Sequence, residues 1–297
     1  MSLVVNHNMM AMNAARNLGS SYARLSNSVR RLSSGLRVGT AADDAAGLAI
    51  RELMRADIKT LNQGVRNAND AISLIQTADG GLGIVDEKLV RMKELAEQAA
   101  TGTYTSEQRL MIESEYQAMA SEITRIANST DFNGVHLLNG NLSSDTHNGE
   151  GLVSTGKLKI HFGTGNDSAE DYYYRTIGDA TASALGIGNQ AGVDADGYTV
   201  STQSAAQRAL DAINRAIESK DKIRAHLGAM QNRLENTISV LQIQAENLQA
   251  AESRISDVDV ATEMTEFVRN QVLTQSAVAM LSQANSLPQM AMQLIGG

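Results

Sequence analysis

A heptad repeat of apolar residues runs without interruption through residues 11–36. Its apolar positions alternate at steps of four and three, at Ala11, Ala15, Leu18, Tyr22, Leu25, Val29, Leu32 and Leu36. This spacing predicts a helix of about 40 Å that carries one narrow apolar stripe. A bundle helix is the alternative, but the repeat is longer than the average globular helix of about 11 residues, which favours a coiled coil.

The far end of the chain carries the same alternation of four and three. Its apolar positions are Leu273, Ala277, Met280, Ala284, Leu287, Ala291 and Leu294. Chain ends usually fray unless they are tied down, so two apolar-striped terminal helices indicate a protein that assembles through its ends.

The composition excludes several classes of partner and of chemistry. The sequence has 297 residues, 3% aromatic residues and a single proline, Pro288, so long uninterrupted helices are allowed almost everywhere. A net charge of −8 argues against nucleic acid as the main partner. The sequence contains no cysteine and no run of 18 apolar residues, so we expect no disulfide and no membrane insertion. The first eight residues do not read as a cleaved signal peptide.

A glycine-containing break at residues 37–47 predicts a joint between an inner and an outer region. Asp43 or Asp44 suits the N-cap of a new helix; a metal site is the alternative, but no third ligand accompanies the pair. A second heptad seam spans residues 54–99. Its phase slips near Gly80, Gly81 and Gly83, which lack the strand and the lysine of a phosphate loop.

A shorter helix and a small β region separate the second seam from a third. The pattern predicts a helix through residues 112–126, an Asn-Gly turn at 133–134, strands at 158–162 and 172–177, and a third seam from 202 to 255. Three consecutive tyrosines at 172–174 could form a binding platform, but strand alternation with one ring buried and two exposed is the simpler interpretation.

We therefore predict a mainly α fold, in which long coiled-coil helices from both termini pack as a rod with a small β-hairpin region at the tip. Residues 1–42 and 257–297 are expected to form an inner terminal coiled-coil region. Residues 43–256 are expected to form an outer helical rod, with the β region at about 131–200.

No constellation of residues indicates catalysis. The five histidines are scattered, and no two of them have metal-ligand spacing. We expect no enzyme, no catalytic residue, no cofactor and no bound metal.

Several motifs resemble the bacterial flagellin family along nearly the whole chain. They are Leu-Ser-Ser-Gly-Leu-Arg at 32–37, Ala-Ala-Asp-Asp-Ala-Ala-Gly-Leu-Ala-Ile at 41–50, Asp-Phe-Asn-Gly at 131–134, Leu-Gly-Ala-Met-Gln-Asn-Arg-Leu at 227–234 and Ala-Glu-Ser-Arg-Ile-Ser-Asp-Val-Asp at 251–259. The resemblance implies a subunit that polymerises with itself into the flagellar filament used for swimming, with both termini paired in the filament core.

The resemblance also implies a route and a set of partners. Flagellins leave the cell unfolded through the flagellum's type III apparatus, so we expect an extracellular, filament-bound protein served by an export chaperone and a filament cap. The chain leaves no room for large variable outer domains, and its Gly-Gly ending departs from the family pattern. A filament-junction (hook-associated) protein, or another coiled-coil assembly protein, remains the alternative.

Host recognition is a further implication of the family. A flagellin-sensing Toll-like receptor reads an outer surface, which maps here to Arg91, Leu95 and Glu115. The family motif is altered at Val90 and Lys93. Arg91 and Leu95 are four residues apart, which places them on one helix face.

The terminal seams generate a test on the monomer. A long helix with one narrow apolar stripe depends on a partner for its stability. Hydrogen exchange of a verified monomer should therefore show both ends unprotected and the centre protected. Strong protection of Leu18 through Leu32 in that monomer would contradict the prediction.

Overall fold

The computed structural model describes residues 8–144 and 156–295, including their side chains except those of 287–289 and 291–295. Within these residues the chain forms six α-helices and two antiparallel strand pairs, so the predicted mainly α fold with small β-hairpins is confirmed. The helices are α1 Met9–Ser34, α2 Ala45–Ala100, α3 Ser106–Ser129, α4 Ala182–Leu185, α5 Gln203–Ser256 and α6 Val260–Ile295. The strands are β1 Asp131–Phe132, β2 Val135–His136, β3 Leu158–His161 and β4 Tyr172–Arg175.

Local signals set where the first two long helices begin and end. The Asn8 side chain caps α1 by accepting a hydrogen bond from the N–H of Ala11 (3.0 Å). The helix stops at Ser34, before Leu36, because Gly35 adopts a left-handed conformation at φ 71° and its N–H donates to Arg31. Asp44 caps α2 by accepting from the N–H of Gly47 (2.9 Å), which is the role predicted for one of the paired aspartates.

Asp43, the other member of the pair, organises the turn before α2. Its carboxylate accepts hydrogen bonds from the hydroxyl and the N–H of Thr40 and pairs with Arg30 at 2.9 Å. The hydrogen bond from the Thr40 hydroxyl holds the pKa of Asp43 below its usual value. The paired aspartates therefore serve a helix start and a turn.

The Asn-Gly turn and the two strands predicted after α3 are also confirmed, and α3 itself begins with a local signal. Thr105 and Gln108 form a capping box at the start of α3. Asn133 and Gly134 both take positive φ angles, 51° and 79°, and join β1 to β2 as a tight hairpin. Strands β3 and β4 pair in antiparallel register, with Ile160 opposite Tyr173.

The tyrosine triplet departs from the predicted alternation. Tyr172 and Tyr173 are both half-buried, and Tyr174 is 39% exposed. Tyr173 packs against Phe162 and lies under the Arg233 guanidinium, 3.7 Å from its ring centroid. The prediction of one buried and two exposed rings is wrong, because contacts on both faces of this short hairpin cover the rings only in part.

The chain divides into two compact units. The terminal unit comprises residues up to Ile58 and those from Glu246 onward, and the central unit comprises Lys59–Ala245. The breaks between α1 and α2 and between α5 and α6 fall at residues 35–44 and 257–259. The region boundaries proposed from the sequence, after residues 42 and 256, lie close to these breaks and stay a prediction.

The core of the central unit lies where α2, α3 and α5 meet. Leu89, Met92, Tyr116, Ile123 and Ile213 are all fully buried there. Burial of this kind contributes roughly 2 kcal/mol for each large side chain, so this core dominates the stability of the unit.

Polar side chains of α3 fasten the irregular segment that precedes α5. The Tyr116 hydroxyl donates to the carbonyl of Gly197 (2.8 Å), and Gln117 accepts from the N–H of Asn189 (2.7 Å). Glu113 accepts from the N–H of Val200 (2.5 Å). Three backbone groups of this segment, whose helical structure next to α5 is one short 3-10 turn at Asn189–Ala191, thereby obtain hydrogen-bond partners from α3.

Two ion pairs join α2 to α5 beside this core. The Lys220 side chain is 2% exposed and contacts Asp86 at 2.5 Å and Asp221 at 2.7 Å. Arg224 forms two hydrogen bonds with Asp79, the shorter at 2.7 Å. The hydrogen bond from Arg224 lowers the pKa of Asp79, so this pair stabilises the fold above about pH 4 and loses its effect as the pH falls through the lowered pKa.

Among the helices of the described residues, none has the length and apolar character that a membrane span requires. The same part of the chain contains no group of three or more histidine, aspartate and glutamate side chains arranged to hold a metal ion.

The buried hydroxyl of Tyr116 provides a test of the central core. Tyr116→Phe removes one of the two hydrogen bonds that the Gly197 carbonyl accepts and leaves the one from the N–H of Gly188, so the free energy of unfolding should fall by about 1 kcal/mol and the midpoint by a few degrees. Tyr22→Phe, at a ring that is 64% exposed, is the matched control and should change neither. Thermal unfolding followed by circular dichroism measures both; equal stability of the two variants would contradict the assignment.

Candidate assembly surface

In the terminal unit, hydrogen bonds join the break after α1 to the break before α6. The N–H of Arg37 donates to the carbonyl of Ser256 (2.6 Å), and the N–H of Val258 donates to the carbonyl of Gly35 (3.0 Å). The Arg37 guanidinium donates to the carbonyl of Ile255 (2.6 Å). These bonds hold the end of α1 beside the start of α6, so the two terminal helices leave the breaks as neighbours.

Helices α1 and α6 pack against each other in antiparallel orientation. Asn8, at the start of α1, donates from its amide to the carbonyl of Ala284 (2.7 Å) near the far end of α6. Arg31, at the end of α1, lies 3.6 Å from Glu263 near the start of α6. The expected pairing of the two termini is therefore present within a single chain.

The residues that α1 and α6 bury most completely are small or polar. On α1, Ser21 and Ser28 are 8% and 4% exposed, and on α6, Asn270 and Ala284 are 5% and 7% exposed. Small side chains allow two helices to approach closely but remove little apolar surface from water.

The larger residues of the predicted α1 seam are divided by this packing. Leu18, Leu25 and Leu32 are half-buried at the edge of the interface. Tyr22 and Val29 are 64% and 49% exposed. Two heptads overlap in this sequence and share the three leucines. The structure buries the heptad that continues through Ala14, Ser21 and Ser28, and exposes the one through Ala15, Tyr22 and Val29.

The predicted seam of α6 is divided in the same way. Ala284 is buried against α1, whereas Leu273 and Met280 are 44% and 64% exposed. The side chains of Leu287 and Leu294 lie outside the described residues. Leu36 lies beyond the end of α1, where it forms a single bridge with Asp257.

The exposed apolar surface of α6 extends beyond the residues that the seam predicted. Met264, Val268 and Val272 are between 44% and 55% exposed, and Val278 is 53% exposed. The first three are spaced at i, i+4 and i+8, a pattern that would have revealed a second apolar stripe in the sequence. Exposed apolar stripes of this length indicate surfaces for protein association.

Two open grooves flank the α1–α6 pair. The Tyr22 groove has a volume of about 670 Å³ and is lined by Ala15, Leu18, Tyr22 and Val278, among others. The Met280 groove has a volume of about 620 Å³, and its lining includes Met10, Leu273 and Met280. The apolar lining of both grooves matches the side chains that a further helix would present.

The residues predicted for receptor recognition lie in the central unit. Arg91 donates to Glu115 from two nitrogens, at 2.9 and 2.7 Å, and to Glu94 at 2.9 Å. The hydrogen bond with Glu115 raises the pKa of Arg91. The expected proximity of Arg91 and Glu115 is therefore present.

Leu95 requires a correction to the predicted receptor surface. It is 1% exposed and belongs to the core, whereas Arg91 is exposed. Residues four apart on a helix differ by about 40° around its axis, which here is enough to carry Leu95 across the edge of the buried face. Leu95 has no surface to offer a partner, so the prediction of receptor binding rests on Arg91 and Glu115.

Comparisons with known proteins agree with the resemblance seen in the sequence. Residues 5–143 match the model for the bacterial flagellin N-terminal helical region, and residues 210–295 match the model for the C-terminal helical region. Flagellin FlaB1 of Treponema pallidum is 42% identical over 293 residues, which cover 99% of this chain and 100% of the treponemal protein. Flagellin of Bacillus subtilis is 41% identical, with 98% and 99% covered.

A solved structure shares the fold at lower identity. The structure of a putative flagellar hook-associated protein from Vibrio parahaemolyticus aligns with 72% of this chain and 100% of its own, at a TM-score of 0.54 and 13% identity. That likeness concerns the fold alone. The family models and the full-length relatives together place the chain: it belongs to the bacterial flagellin family.

Proposed function

We propose that this flagellin is the structural subunit of a swimming filament and that it polymerises through the outward faces of α1 and α6. The observation that carries the proposal is the exposed apolar heptad of α1, in which Tyr22 and Val29 are 64% and 49% exposed although they continue an uninterrupted repeat. Terminal helices of further copies are the occupants that the family supplies for the two grooves.

The energetic reason is that one terminal helix cannot cover the other. The α1–α6 interface uses Ser21, Ser28 and Asn270, while larger side chains such as Tyr22 and Met280 remain in water. Each large apolar side chain gains roughly 2 kcal/mol when it is buried. Association of many copies therefore supplies the burial that a single chain lacks.

The filament subunit is favoured over the junction protein as the role of this chain. The Treponema phagedenis flagellar filament 33 kDa core protein is 42% identical and is covered over its full length. The hook-associated structure is related at 13% identity. The family further supports export by the type III route to the cell exterior, assisted by an export chaperone and the filament cap.

Recognition by a host Toll-like receptor is the second part of the proposal. Arg91 is 48% exposed at its side chain and Glu115 is 43% exposed, so both are accessible in the monomer. Arginine is favoured at interface hot spots because its planar guanidinium can form several hydrogen bonds at once. The competing interpretation is that Arg91 and Glu115 form a surface ion pair that stabilises the fold and takes no part in receptor binding.

The exposed heptad of α1 predicts the effect of a double substitution. Tyr22→Ser with Val29→Ser removes apolar area that the polymer would bury, so the critical concentration for polymerisation should rise roughly hundredfold. Seeded polymerisation followed by light scattering and electron microscopy measures it. Val193→Ser, at a residue that is 75% exposed in the central unit, is the control and should polymerise as the unchanged protein does. Normal polymerisation of the double variant would refute the proposed surface.

Receptor binding is tested on the monomer with a matched pair of arginine variants. Arg91→Ala should weaken binding of the receptor ectodomain about tenfold or more, as hot-spot residues do. Arg125→Ala is the control, because Arg125 is also exposed and paired with a glutamate on its own helix, Glu122. Titration of the ectodomain measures the affinities, and circular dichroism checks the fold. If the receptor ectodomain binds the two variants with equal affinity, Arg91 takes no part in receptor binding and serves only the surface ion pair.

A further inference from the structure

The methionines of this chain are concentrated on the surfaces that the proposed assembly buries. Among the described residues, seven methionine side chains are strongly exposed, and six of them lie on α1 or α6. These six, here called the terminal methionines, are 44–64% exposed: Met9, Met10, Met12, Met264, Met280 and Met290. The seventh, Met111, is 74% exposed on α3.

The chemistry of methionine gives this placement a consequence. Hydrogen peroxide and similar peroxides oxidise an exposed thioether to a sulfoxide. The sulfur lone pair forms an S–O bond as the O–O bond breaks, sulfur loses two electrons, and the second oxygen leaves as water. The product is polar and strongly hydrogen-bonding, where the thioether was apolar. A sulfoxide that faces water keeps its hydration, so it does not destabilise the monomer. A sulfoxide buried in an apolar groove loses that hydration, which makes the free energy of assembly less favourable.

We propose that the terminal methionines are an oxidation site that controls assembly: peroxide converts them to sulfoxides and blocks polymerisation, and reduction by methionine sulfoxide reductases restores it. In that reduction a dithiol supplies two electrons and becomes a disulfide, and the sulfoxide oxygen leaves as water. This inference rests on the proposed polymerisation through α1 and α6. Met10 and Met280 carry it most directly, because both line the Met280 groove with Leu273.

The same placement predicts that oxidation leaves the monomer folded. The terminal methionines already face water, whereas Met92 and Met230 in the central core are 0% and 4% exposed and are shielded from peroxide. Oxidation therefore changes the surface without opening the core. Burial in the polymer also limits the access of peroxide to these thioethers, so assembly should slow their oxidation.

The experiment uses the full-length protein. Purified monomer is treated with hydrogen peroxide, the peroxide is removed, and seeded polymerisation is compared with that of untreated protein. We expect unchanged helix content by circular dichroism and a polymerisation rate at least tenfold lower. Treatment with methionine sulfoxide reductases A and B should return the rate to that of untreated protein, and peptide mapping by mass spectrometry locates the sulfoxides.

Matched variants separate the terminal methionines from the rest. Leucine has a similar volume and cannot form a sulfoxide, so a variant with all six terminal methionines changed to leucine should polymerise equally well before and after peroxide. Met111→Leu removes the seventh strongly exposed thioether of the described residues and should remain as sensitive as the unchanged protein. A six-leucine variant that is as sensitive as the unchanged protein would overturn the proposal.

The rates of methionine oxidation in monomer and in polymer of the unchanged protein test the proposal even if the six-leucine variant does not polymerise. In polymer, Met10 and Met280 should be oxidised at least tenfold more slowly than in monomer, while Met92 should be oxidised slowly in both states. Equal oxidation of Met10 and Met280 in the two states, or full polymerisation of oxidised monomer, would overturn this inference alone. Failure of untreated protein to polymerise would instead overturn the proposed function.

Discussion

The narrow interface between α1 and α6 is the constraint on which the function of this flagellin depends. The residues that it buries most completely are small or polar, namely Ser21, Ser28, Asn270 and Ala284. It holds the two chain ends together while fully burying little large apolar surface. The leucines at 18, 25 and 32 lie at its edge, shared between the buried heptad and the exposed one. The α1–α6 pair therefore has a fixed arrangement but leaves large apolar side chains in water. Such a pair suits a subunit that must exist alone before it assembles.

The central unit, in contrast, has a core that is buried within one chain. Leu89, Met92 and Tyr116 are fully covered by helices of the same chain, and the loop before α5 is bound to α3 through Glu113 and Gln117. The large side chains of its core and the backbone groups of this loop obtain their partners within the chain. The two units therefore differ in how they bury apolar surface: the central unit has a large core of its own, whereas in the proposed assembly the exposed apolar surface of the terminal unit is covered by further copies.

Local sequence signals predicted most of the secondary structure, because their physical causes act within a few residues. The Asn-Gly turn and the Asp44 cap are examples. Gly35 ends α1 through the same kind of local preference, but the heptad spacing extended the predicted helix to Leu36 and missed this signal. The heptad spacing predicted long helices, but it could not choose between two stripes that share their leucines, since that choice depends on the helix on the other side. Leu95 was misplaced because the position of the buried edge depends on what α2 packs against. The contacts of Glu113 with a segment 87 positions away left no trace in the local pattern.

The most direct test of this account is a reconstruction of the assembled polymer by electron cryo-microscopy, at a resolution that shows side chains. The account predicts that Tyr22, Val29 and Met280, all exposed in the single chain, contact helices of neighbouring copies, while Ser21 and Ser28 retain their contacts with α6 of the same chain. A polymer in which Tyr22, Val29 and Met280 still face solvent, with the copies joined only through their central units, would contradict it.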